Sequence, residues 1–214
     1  GFNRIDFTIN PTFNSFAAFQ IRTNNQGNGS FYIWGAQSEA LSYATSYIPT
    51  SGSTATRLGE TANNAGGAGV FNSEEGVLYA EIAALTENYT FRTICLSNGS
   101  TSDRINIWYW NNGTLKIDLY SGNNPQFTYD AGVDTTLYNK IAVKYKLNDF
   151  SVFLNGLEVF TDSAGVTPLG LNQIKFSNPN NLYYLLGKVK QLQVYKTALT
   201  DEQLLQLTGE SGTD

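Results

Sequence analysis

Two Asn-Gly pairs, each flanked by short segments of alternating apolar and polar residues, narrow the folds open to this chain. Asn112-Gly113 separates residues 105–110 from 115–120, and Asn155-Gly156 separates 150–154 from 157–160. Asn and Gly accept the positive φ angles of tight hairpin turns. Strict alternation marks a strand with one face in a core. The same texture recurs at 77–85, 89–96, 140–147, 173–176 and 185–195, with Asn, Gly and Ser at the boundaries. Many short strands with regular turns predict an all-β antiparallel sandwich. One helix is expected, at the end. Thr200 and Gln203 fit a capping box, and Leu199 and Leu204 fit the hydrophobic staple around it. Leu204 and Leu207 share a face, and Gly209 is placed to stop the helix.

Composition excludes several functions. The chain has 214 residues, 41% hydrophobic, and only 14% are charged, against about 25% in ordinary domains. Uncharged polar residues fill the gap, which suits neutral polar ligands or crowded protein assemblies. A net charge of −5 without a Lys/Arg cluster argues against nucleic acid as a partner. No run of about 18 apolar residues argues for membrane insertion. The sequence starts at Gly1 and lacks Met, which reads as an excised or cleaved fragment. Cys95, the single cysteine, lies in the apolar run Thr93-Ile-Cys-Leu96 and reads as a small buried hydrophobe.

The chain reads as two parts. Residues 1–58 look like the closing strands of a preceding sandwich (4–10, 17–23 and 31–36) with a linker. Residues 66–210 form a complete unit, and the tail from Gly209 reads as disordered. The joint is Phe31-Tyr-Ile-Trp-Gly-Ala-Gln-Ser-Glu39, then Tyr43-Ala-Thr-Ser-Tyr-Ile-Pro-Thr-Ser-Gly-Ser-Thr-Ala-Thr-Arg57. Pro49 holds Ile48 extended, and the small hydroxylated residues after it suit a linker. This run resembles a joint in phage tail and fibre proteins, where a carbohydrate-module-like sandwich hands over to a laminin-G-like or concanavalin A-like jelly roll. Three later stretches carry the same resemblance: Lys140-Ile-Ala-Val-Lys-Tyr145, Phe150-Ser-Val-Phe-Leu-Asn-Gly156, and Gly187-Lys-Val-Lys-Gln-Leu-Gln-Val-Tyr-Lys-Thr-Ala-Leu-Thr-Asp-Glu-Gln-Leu204.

Catalysis is not expected. The chain has no His, which removes the commonest general base and every His-ligated metal site. Two carboxylates alone can hydrolyse glycosides, but the Glu-x-Asp-x-x-Glu strand of jelly-roll glucanases is absent. Glu158 and Asp162 come nearest, four apart, sharing a strand face with Phe160 by simple alternation. Glu74-Glu75 reads as a loop and Asp201-Glu202 as a first helical turn. No cofactor is implied. Related folds often carry structural calcium, and Asp103, Asp130 and Asp134 are loop candidates. The sequons at Asn28, Asn88, Asn98 and Asn112 read as features of an Asn-rich chain.

The candidate site is a sheet face. Alternation puts Ile105, Ile107 and Tyr109 on one side, and Arg104, Asn106, Trp108 and Trp110 on the other. On the paired strand, Leu115, Ile117 and Leu119 oppose Lys116, Asp118 and Tyr120. With the aliphatic sides in the core, Trp108, Trp110 and Tyr120 share the outer face with Arg104, Asn106, Lys116 and Asp118. Flat rings beside hydrogen-bonding groups suit sugars, which stack a C–H face on the ring and place hydroxyls on the polar groups. The same face would also suit a protein contact, or be plain surface.

The resemblance implies a non-catalytic virion surface module of a tail fibre, tail spike or head fibre. Such a module would bind host surface glycans or neighbouring virion proteins, as a trimer if a fibre, at an extracellular or virion-surface location. The alternatives are a carbohydrate-binding module of a secreted bacterial polysaccharide-degrading enzyme, and a structural spacer.

Overall fold

The computed structural model describes residues 32, 34–38, 46–56, 67, 69–85, 91–110 and 112–209. The chain divides into two compact units, 1–58 and 59–214. In the first, the rings of Trp34 and Tyr47 pack 4.8 Å apart. Gln37 Oε1 accepts from the Ile48 N–H at 2.7 Å. The strand expected over 31–36 is not formed at its described residues. Gly35, at φ +72°, turns the backbone there, and a Cβ on it would stand 3.3 Å from the Tyr47 ring. The strands expected at 4–10 and 17–23 lie outside the described residues.

The second unit is an antiparallel sandwich. Its elements are β1 (Glu75–Ala84), β2 (Arg92–Ser97), β3 (Arg104–Tyr109), β4 (Leu115–Ser121), β5 (Asn124–Ala131), β6 (Asn139–Lys146), β7 (Phe150–Leu154), β8 (Leu157–Asp162), β9 (Gln173–Lys175), β10 (Gly187–Tyr195) and α1 (Asp201–Thr208). One five-stranded sheet has the order β10-β1-β6-β7-β8, the other β5-β4-β3-β2-β9. Leu78, Ala80 and Ile82 of β1 meet Ile94, Ile105, Ile107, Ile117 and Leu119 of the facing sheet in one core. Burial of such aliphatic side chains is the main stabilising contribution, roughly 1.5–3 kcal/mol each. Among the described residues no helix is long and apolar enough to cross a membrane.

The other face of the first sheet carries the helix. Val77, Tyr79, Ala142 and Phe153 pack with Leu204, flanked by Leu199 and Leu207. The capping box forms as the sequence predicts: Thr200 Oγ1 accepts from the Gln203 N–H, and Gln203 Oε1 accepts from the Thr200 N–H. Gly209 does end the helix, but in an extended conformation (φ −67°, ψ 170°), so it needs no left-handed backbone. The nearly buried Lys144 reaches Asp149 at 2.8 Å and Asp201 at 3.1 Å. Burial alone would lower the Lys144 pKa; its two carboxylate partners hold it above the usual lysine value.

Three local expectations are corrected. The Asn155-Gly156 turn is a two-residue hairpin with both residues at positive φ (50° and 81°). The 112–113 turn is different. Gly113 alone of the pair is at positive φ, and Trp110 accepts from the Gly113 N–H while donating to Thr114 O. That is the three-residue loop in which a turn precedes a left-handed Gly. Second, β5 is a strand that the sequence reading did not include. It is an edge strand, where Pro is tolerated, and it follows a Gly122-Asn123 turn with both φ values positive. Third, Glu158 and Asp162 do not share a face. A bulge at Val159 pairs Phe160 with Val152 but Glu158 with Phe153. Val152 faces the sandwich core and Phe153 faces the helix, so Glu158 points away from Phe160 and Asp162.

The helix is held by its buried face more than by its cap. Leu204→Ala should cost about 2–5 kcal/mol and Thr200→Ala about 1 kcal/mol. Chemical unfolding of both variants checks this, and equal losses would contradict it.

Candidate functional site

The β3–β4 register brings the seven expected residues together. Arg104 lies opposite Tyr120, Asn106 opposite Asp118, and Trp108 opposite Lys116. Trp110 follows just past the end of β3. The inward partners Ile105, Ile107, Tyr109, Leu115, Ile117 and Leu119 are all in the core, so the seven occupy the outer face.

That face is organised by a carboxylate. Asp118 Oδ1 accepts from Asn106 Nδ2 at 2.8 Å, and Oδ2 accepts from Trp108 Nε1 at 2.6 Å. Arg104 Nε lies 3.8 Å from Oδ1, and the Arg104 guanidinium sits 3.7 Å over the Tyr120 ring. Asn106, Trp108 and Asp118 are buried. Burial pushes the Asp118 carboxyl above the ordinary aspartate range, although the Asn106 and Trp108 hydrogen bonds and the Arg104 charge pull the other way. Lys116 spans Asp130 at 3.8 Å and the Trp110 ring at 4.6 Å. On the same face, Cys95 of β2 is buried directly across from Asn106. Its thiol is pushed up to about 12 by burial, with the Asp118 charge adding to the effect. A thiol that stays protonated is a poor nucleophile.

Trp108 is thus packed and hydrogen-bonded, with 8% of its surface exposed. The solvent-facing aromatics are its neighbours. Trp108 meets Trp110 and Tyr183, each at 5.9 Å between ring centroids. Phe91 closes the group at 4.4 Å from Trp110 and 5.4 Å from Tyr183. Phe91 and Tyr183 were not anticipated as site residues. Phe91 lies in an expected strand, but just before the segment that pairs. Tyr183 arrives from a segment about 75 residues after Trp108, a contact that local periodicity cannot reveal. The only sequence signal was the Asn-Pro-Asn-Asn run beside two tyrosines at 178–184.

The calcium candidates do not converge. Asp103 is buried, and its oxygens accept from the Gly122 and Leu169 N–H groups, Asn98 Nδ2 and Ser102 Oγ. Burial would raise its pKa, but these four donors outweigh burial and lower it. Asp130 pairs with Lys116, and Asp134 accepts from the Thr136 backbone and hydroxyl. Among the described residues no three His, Cys, Asp or Glu side chains come together as a metal site. On the opposite sheet, an open depression of about 350 Å³ is lined by Tyr195, Leu199, Gln203, Gln206 and Leu207. It offers no carboxylate or cation.

Two predictions follow from these hydrogen bonds. Trp108→Phe keeps a ring but strips Asp118 Oδ2 of its donor, which should lower stability by about 1–3 kcal/mol in chemical unfolding. Asp103 has its pKa lowered in the folded state, so its contribution is present above the unfolded value of about 3.9 and lost as pH falls through the folded one. Asp103→Asn should therefore destabilise at pH 7, and the difference from wild type should shrink steadily below pH 4. A constant difference across that range would contradict the assignment.

Comparison with known proteins fits this architecture. The carbohydrate-binding module CBM40 of Ruminococcus gnavus IT-sialidase superposes with a TM-score of 0.54 at 21% identity, covering 64% of this chain and 84% of that one. The same module bound to α2,3-sialyllactose gives 0.54 at 22%, covering 65% and 84%. A leech intramolecular trans-sialidase gives 0.52 at 19%, covering 66% of this chain and only 24% of the enzyme. At such identities the likeness concerns the fold. No curated protein sequence matches the chain. The sequence profile of the concanavalin A-like lectin/glucanases superfamily matches residues 77–205, from β1 into α1, and the chain belongs to that superfamily.

Proposed function

We propose that the 59–214 unit is a non-catalytic glycan-binding module, working at an extracellular surface as part of a larger protein. The observation that carries this reading is the outer face of the β5-β4-β3-β2-β9 sheet. Trp110, Phe91 and Tyr183 stand there beside Lys116 and Arg104, over a layer fixed by Asp118. Rings for C–H stacking and cations for hydroxyl or carboxylate oxygens are the two elements sugar recognition needs. The fold likeness to a sialidase-linked module that binds sialyllactose supports the carbohydrate-binding-module reading. The virion reading, with its trimer and its neighbouring virion proteins, draws no comparable support. A buried high-pKa thiol, the absence of His and the separated Glu158 and Asp162 all favour binding over chemistry.

The test is a glycan array spanning sialylated and neutral structures, probed with wild type, Trp110→Ala, Lys116→Ala and a control, Lys190→Ala, on the other sheet. Wild type and the control should bind the same glycans. Trp110→Ala should weaken binding about tenfold, a loss on the scale of one stacked ring at the upper end. Loss in the control, or no glycan bound by wild type, would refute the proposal.

A further inference from the structure

Tyr183 combines two properties that rarely coincide. Its backbone is left-handed, at φ +60°, a conformation that is a true outlier for a bulky side chain. The residue is also 44% exposed, so burial does not account for the strain. Left-handed non-glycine residues persist only where their surroundings over-determine them, and they cluster at ligand clamps.

The surroundings here are built for that purpose. The Tyr183 carbonyl accepts from the Thr93 N–H at 3.1 Å, which extends the edge of β2 beyond its pairing with β9. Asn178 Oδ1 accepts from the Leu182 N–H at 2.8 Å. Lys175 Nζ donates to Pro179 O and Asn181 Oδ1, each at 3.0 Å. Asn181 is also left-handed, at φ +58°, a position Asn tolerates. The Leu185 N–H donates to Phe176 O at 2.8 Å, so the loop is tied down on both sides of Tyr183. What it delivers is the Tyr183 ring, edge-on to Trp108 and Phe91 and open to solvent. A loop serving stability alone would relieve the strain with Gly or Asn at 183.

Resting on the glycan-binding reading, we propose that Tyr183 is a ligand-contacting residue, the outer wall of the site, which stacks on the apolar C–H face of a pyranose ring. Trp108 lies beneath it as a fixed packing partner, and Phe91 and Trp110 flank it. Recognition comes from the ring and not from the hydroxyl.

The experiment titrates the full chain with α2,3-sialyllactose, α2,6-sialyllactose, lactose and N-acetyllactosamine by calorimetry, with unfolding midpoints measured in parallel. Tyr183→Phe should bind like wild type. Tyr183→Gly and Tyr183→Asn, which both accept the left-handed backbone, should bind about 3- to 10-fold more weakly. Their midpoints should stay within about 3 °C of wild type, because relief of strain offsets the lost ring contacts. Unchanged binding in both overturns the assignment while leaving the module reading intact. Weaker binding that accompanies a large fall of the midpoint in both also overturns it, since the ring would then be structural. If wild type binds none of the four sugars, this assignment falls, and the array decides whether the module reading falls with it.

Discussion

A carboxylate in the middle of a sheet must be satisfied where it stands, because a buried charge without partners costs several kcal/mol. Asp118 meets that requirement through the Asn106 amide and the Trp108 indole, with the Arg104 guanidinium nearby. Each partner is thereby fixed. The indole cannot rotate away without leaving Asp118 Oδ2 without its donor, so Trp108 becomes a rigid floor. Trp110, Tyr183 and Phe91 then pack around that floor in edge-on contacts. The cations take the remaining ring faces, Lys116 over Trp110 and Arg104 over Tyr120.

This arrangement divides support from contact. The inner layer of Asn106, Trp108 and Asp118 is buried and hydrogen-bonded, so changing it should disturb stability as well as any site above it. Under the proposed function, the outer layer of Trp110, Tyr183 and Lys116 is where a ligand would gain or lose affinity. A preorganised aromatic surface of this kind loses little conformational entropy when a sugar binds.

Much of this was legible in the sequence, for physical reasons. Period-two alternation fixes which residues share a face, so the membership of the Arg104–Tyr120 face and the inward Ile105, Ile107 and Ile117 could be read directly. The capping box at Thr200 and the two-residue turn at Asn155-Gly156 are short-range chemistry and were equally legible. Three things were not. Alternation gives the side but not the depth, so the burial of Trp108 beneath Tyr183 was hidden. A bulge shifts the period by one, so simple alternation puts Glu158 and Phe160 on one face while the bulge at Val159 separates them. Residues 124–131 were not read as a strand, although the preceding Gly122-Asn123 pair is a hairpin signal in its own right. Tyr183 was missed because its importance lies in backbone strain and in a long-range contact, neither of which has a local signature.

We propose that sugars bind the outer face of the β5-β4-β3-β2-β9 sheet. The most direct measurement is NMR of backbone amides and tryptophan indoles while the chain is titrated with α2,3-sialyllactose and then with neutral glycans. Signals of Trp110, Lys116 and residues 182–184 should move with added glycan. The Trp108 indole N–H, held by Asp118, should stay protected from exchange throughout. Shifts confined to the helix-bearing face around Tyr195 and Gln206, or spread over loops away from β3 and β4, would contradict it.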